Sequence, residues 1–81
     1  MKMHPGPRLR GKREAIGLTL SEASYKARID IGRLSKFERA VGNLTAEQDE
    51  RLQRVLGDAF AAHRKELDLV LAEDRAKVMN P

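Results

Sequence analysis

The stretch Thr19–Ala40, TLSEASYKARIDIGRLSKFERA, constrains this chain more than any other. Thr19 is a helix-capping type, and Glu22 three residues later completes an S/T-x-x-E capping box. Leu20, Ala23 and Ala27 then recur along one helix face. Arg28-Ile29 breaks that pattern, and Asp30, a good N-cap, opens a second helix. Ile31, Leu34, Phe37 and Val41 give that helix its apolar spacing. Two short helices joined by a tight turn make a helix-turn-helix, a motif whose second helix enters a DNA major groove.

Charge falls on the same half of the chain. Residues 8–39 carry nine Lys or Arg against four Asp or Glu, a net +5, whereas residues 40–81 carry six against eight, a net −2. A basic excess gathered on one half is the electrostatic footprint of a polyanion binder. A merely solvated surface is the plainer explanation, and the coincidence with the helix-turn-helix argues against it.

With 81 residues the chain allows one domain whose core is small. It has no cysteine, so neither a disulfide framework nor a thiolate metal site is available. No apolar run has the length of a membrane span, and MKMHPGPRLR lacks the apolar core of a secretory signal. A cytoplasmic location with no membrane partner is therefore expected. Catalysis finds little support: His4 and His63 are far apart, and there is no paired-carboxylate pattern, phosphate-cradling glycine loop or metal-ligand cluster. We expect no enzyme, no metal and no cofactor.

Along the chain, residues 1–7 read as a flexible Pro/Gly arm, and Arg8–Ile16 as a first helix that Gly17 ends. Gly42-Asn43 is a loop, and Thr45 with Gln48 forms a second capping box. From Ala46 to about Val78 a single stripe stays in phase: Leu52, Leu56, Phe60, His63, Leu67, Val70/Leu71 and Val78, interrupted by Asp74. Gly57-Asp58 is where one helix could end and another begin, so one long helix or two nearly collinear ones fit equally. The distal seam has nothing in its own domain to cover it. Pairing with a second copy is the expected cover, with Phe60, His63, Leu67, Val70 and Leu71 at the interface. His63 reads as a seam residue that could make such pairing pH-sensitive.

A set of residues at joint spacing ties the middle of the chain to a known family. Arg13 stands four residues before Gly17, Gly17-Leu18-Thr19 opens the second helix, and Ala27 precedes the turn. Asp30 caps the third helix, Glu38-Arg39-Ala40 closes it, and Leu52, Val55 and Leu56 end an apolar fourth. On these residues Leu9–Leu56 resembles the helix-turn-helix domain of lambdoid phage repressors and Cro proteins, the Xre family. The resemblance implies an all-α, lambda-repressor-like bundle of four to five helices, here extended by a long C-terminal helix. It also implies a partly buried ion pair between Arg13 and Glu38. Three positions depart from the family: Leu20 replaces a usual Gln, Ile31 and Gly32 replace polar residues at the start of helix three, and Ala40 replaces a usual Gly.

The expected organisation is thus an arm (1–7), a DNA-binding domain (8–56) and a C-terminal helical extension for dimerisation (57–81). If Leu34 and Phe37 face inward, Ile31, Gly32, Arg33 and Lys36 face outward to read bases; Arg or Lys can donate to guanine and Ile31 can touch a thymine methyl. Phosphate contacts are expected from Arg10, Thr19, Arg28, Ser35, Arg39 and Asn43. The function that follows is a dimeric, sequence-specific DNA-binding transcriptional regulator, a repressor or autoregulator of a phage, plasmid or small operon. It would bind a palindromic operator on double-stranded DNA, with a regulatory protein partner as a further option. The alternative is a protein-interaction module of the same fold, antitoxin-like and without specific DNA readout, which Leu20, Ile31 and Gly32 favour.

Overall fold

A computed structural model describes residues 3–79 of the chain, with side-chain surroundings described through residue 72. Four helices follow one another: α1 (Gly6–Ala15), α2 (Leu20–Ala27), α3 (Ile31–Glu38) and α4 (Ala46–Met79). The fold is all-α, with no strand among the described residues. Local chemistry explains the starts of α2, α3 and α4. Thr19 accepts from the Glu22 amide at 3.1 Å while Glu22 reaches back to the Thr19 amide at 3.4 Å. Asp30 accepts from the Arg33 amide at 3.1 Å. Thr45 and Gln48 make the same reciprocal pair at 3.1 and 3.0 Å. Each cap satisfies amides that the first turn leaves without a carbonyl.

α1 begins two residues before the expected Arg8, and the arm is not free along its length. Pro5 occupies the N-cap, and Pro7 sits in the first turn, where its missing N–H costs nothing. Gly6 is buried against the end of α3: a Cβ there would lie 1.8 Å from the Phe37 carbonyl oxygen. Only glycine permits that approach. Gly17, at φ +72°, turns the chain from α1 into α2.

The core gathers Leu9 of α1, Leu18, Ala23 and Ala27 of α2 and its approach, Ile29 of the turn, Leu34 and Phe37 of α3, and Leu52 and Leu56 of α4. α1 packs on α3, and α2 packs on both α3 and α4. Leu34 and Leu52 are the largest side chains wholly removed from water, each worth about 1.5–3 kcal/mol of burial. Val41, expected on the apolar stripe of α3, lies beyond the helix end and is 67% exposed, because the chain turns at Ala40.

α4 is one helix, and Gly57-Asp58 does not interrupt it. A helix of this length extends about 50 Å at 1.5 Å per residue, which accounts for the 55 Å long axis of the molecule. Leu52 and Leu56 anchor its first half; Phe60, Leu67, Val70 and Leu71 are between 49% and 59% exposed, and His63 is half-buried. Asp74 and Val78 of the expected stripe lie outside the residues with described side chains. None of the described helices is both long and apolar enough to cross a membrane.

Candidate nucleic-acid interface

α3 is held on its inner side and bare on its outer side. Leu34 and Phe37 are buried, and Glu38 is 5% exposed. Ile31, Gly32, Arg33 and Lys36 are all exposed, as the spacing predicts. With 3.6 residues per turn, positions 32, 33 and 36 share one face of α3, and Ile31 borders it at the N-terminal end. The face has two cations and no acid.

Two guanidinium groups brace the helix-turn-helix, one at the end of α3 and one at the end of α2. Arg13 Nε and Nη2 donate to the two carboxylate oxygens of Glu38, both at 2.8 Å, and Nη1 donates to the Leu18 carbonyl at 2.8 Å. One side chain thereby joins α1, the α1–α2 turn and the end of α3. Glu38 hydrogen bonding raises the Arg13 pKa above the ordinary arginine value, against the opposing effect of burial. The second group, Arg51 of α4, is one that sequence reasoning missed. Its Nε donates to the Ala27 carbonyl at 2.8 Å and its Nη2 to the Arg28 carbonyl at 3.2 Å, with Glu47 at 3.1 Å from Nη1. Those carbonyls are the open end of α2, where a positive charge suits the helix dipole. The turn itself needs Arg28 in the left-handed region, at φ 55°, and Ser24 Oγ donates to the Ile29 carbonyl across it. An Arg on a surface helix with an acid at i−4 reads simply as a solvated pair, so no sequence signal marked this role.

The predicted phosphate contacts divide into groups. Thr19 spends its side chain on the capping box, which leaves the amides of Leu20 and Ser21 without intrahelical partners, as anion donors. Asn43 lies on the loop after α3, and its carbonyl receives Arg33 Nε at 3.2 Å, so Arg33 braces that loop. Arg39 is exposed and turns its Nε back to the Ser35 carbonyl at 3.4 Å; Ser35 is half-buried. Arg28 is exposed at the turn. Arg10 stands apart on α1, paired with Glu14 at 2.7 Å. Its charge is already answered within its own helix.

The N-terminal segment joins this unit through His4. His4 Nε2 donates to the Gly42 carbonyl at 2.9 Å, and its Nδ1 accepts from the Gly6 amide at 2.9 Å. The ring packs at a tilt on Phe37, with centroids 5.1 Å apart. The seam residues Phe60, His63, Leu67, Val70 and Leu71 all lie on α4. Phe60 also lines an apolar groove of ≈ 360 Å³ between α1 and α4, together with Lys12, Ala15, Ile16, Gln53, Leu56 and Gly57. Among the described residues no group of three or more His, Cys, Asp or Glu is arranged to hold a metal ion.

Comparison with known proteins gives one informative result. No protein-family model matches the chain, and no curated protein matches it. Among solved structures it is similar to the crystal structure of the clp gene regulator ClgR from Corynebacterium glutamicum. The two share 30% identity over 91% of this chain and 84% of that one, with a TM-score of 0.61.

Proposed function

We propose that this chain, which belongs with ClgR among the small helical transcriptional regulators of helix-turn-helix type, is a sequence-specific DNA-binding regulator acting as a dimeric repressor or autoregulator. The observation that carries this reading is the outer face of α3. Ile31, Gly32, Arg33 and Lys36 stand exposed on a helix whose inner side is anchored by Leu34, Phe37 and the Arg13–Glu38 pair. Such a helix fits a major groove with its cations at base edges or groove phosphates. The amides of Leu20 and Ser21 and the loop at Asn43 flank it as backbone contacts.

Dimerisation belongs to the same proposal. Beyond Phe60, α4 carries half-exposed apolar residues in phase with the stripe that begins in the core. A helix of that kind without a partner is marginal in water. Two-fold pairing through Phe60, His63, Leu67, Val70 and Leu71 covers it and sets two α3 helices on inverted half-sites about 34 Å apart or a multiple of that.

The test is selection of bound duplexes from a random pool, followed by a salt titration. A regulator recovers a palindrome and loses affinity steeply with added salt. A protein-interaction module, which the exposed Ile31, Tyr25 and Val41 favour, recovers no common sequence and shows little salt dependence.

A further inference from the structure

We propose that His4 is a positioning residue for the DNA-reading unit: its neutral ring staples the N-terminal segment to the loop that follows α3. The inference rests on the DNA-binding reading above. Two hydrogen bonds define the ring. The Gly6 amide can only donate, so Nδ1 must offer its lone pair; the Gly42 carbonyl can only accept, so Nε2 must carry the proton. That is one tautomer of the neutral imidazole. An imidazolium has donors at both nitrogens and no lone pair, so the Gly6 bond cannot survive protonation.

The staple touches the reading helix at three places. The ring packs on Phe37. Gly6 lies against the Phe37 carbonyl with no room for a Cβ, and that carbonyl also receives the Ala40 amide at 3.0 Å. Gly42, which holds the ring's proton, packs on Lys36: a Cβ on Gly42 would lie 3.2 Å from Lys36 Cβ. The next residue, Asn43, receives Arg33. The strap, the loop and the two cations of the α3 outer face therefore form one connected set. Freeing the strap frees the loop that orients both Lys36 and Arg33.

The experiment measures affinity for the selected duplex for wild type, His4→Ala and His4→Gln. Gln keeps a donor near the Nε2 position. His4→Ala should bind about three- to tenfold more weakly, in keeping with loss of a staple of one or two hydrogen bonds, and His4→Gln should recover most of that loss. Nitrogen-15 spectra of the unbound wild-type protein should show the proton on Nε2, a readout that needs no variant to fold. The proposal is overturned by the Nδ1–H tautomer, by His4→Ala binding as wild type, or by His4→Gln binding no better than His4→Ala. If wild type selects no duplex at all, the DNA-binding reading fails, whereas the tautomer and the Gly6 amide's exchange still judge the staple.

Discussion

Arg13 and Glu38, twenty-five positions apart, meet through two parallel hydrogen bonds in a site where the arginine is 8% and the glutamate 5% exposed. Both charges are out of water, and no buried side-chain polar atom among the described residues lacks a partner. Removing one member leaves the other buried and unpaired. Arg13→Met or Glu38→Gln should therefore cost about 3–5 kcal/mol, measured by urea unfolding. Because the Arg13 pKa is raised, the stability from that shift is present below the ordinary arginine range and is lost only as pH climbs through the raised value. Raising pH from neutral to about 10 should leave this contribution intact.

Arg51 should couple stability to readout, whereas Lys36 should separate them. Its two carbonyl bonds tie α4 to the end of α2 and to the first residue of the turn. Arg51→Met is expected to cost about 2 kcal/mol of stability, as for hydrogen bonds from a charged donor, and to weaken DNA binding as a consequence. Lys36→Ala should weaken specific binding by about 1–3 kcal/mol while the thermal midpoint stays nearly constant. A large midpoint drop in Lys36→Ala would remove it from the reading face.

Ala40 takes φ 63°, where the resembled family usually has glycine. A left-handed conformation costs a non-glycine residue about 1–2 kcal/mol. Ala40→Gly should recover part of this, near 1 kcal/mol, and raise the melting temperature by about 4–8 °C for a domain of this size. No change in midpoint would show that the C-terminal turn of α3 carries no such strain.

Gly57 tests the dimer. It lies inside α4 and lines the groove with Ile16, Leu56 and Phe60, yet a Cβ there would meet nothing within 4 Å in the single chain. For the isolated chain, Gly57→Ala should add about 1 kcal/mol of helix stability. If the second copy packs on this groove, the same methyl should weaken self-association, read by sedimentation equilibrium. Leu67→Asp with Leu71→Asp should give a folded monomer with much weaker operator binding. A tight monomeric complex from that double variant would sink the dimer proposal.

Much of this fold was legible without coordinates because its determinants are local. Capping boxes at Thr19 and Thr45, the Asp30 cap, and apolar spacing at Leu34, Phe37, Leu52 and Leu56 each act within one or two turns of helix, so residue order alone specifies them. The Arg13–Glu38 pair came from family resemblance, since no local rule joins residues that far apart. Tertiary structure alone decided the rest. Arg51 became the lock of the turn because α4 crosses the end of α2. His4 became a staple because Gly6 lets α1 approach α3 to a distance no other residue allows. The continuity of α4 through Gly57 was likewise open in the sequence, where a glycine is as compatible with a cap as with a helix interior. Such roles are set by which backbone carbonyls the packing brings within reach of a donor, and that is a property of the assembled bundle rather than of any segment.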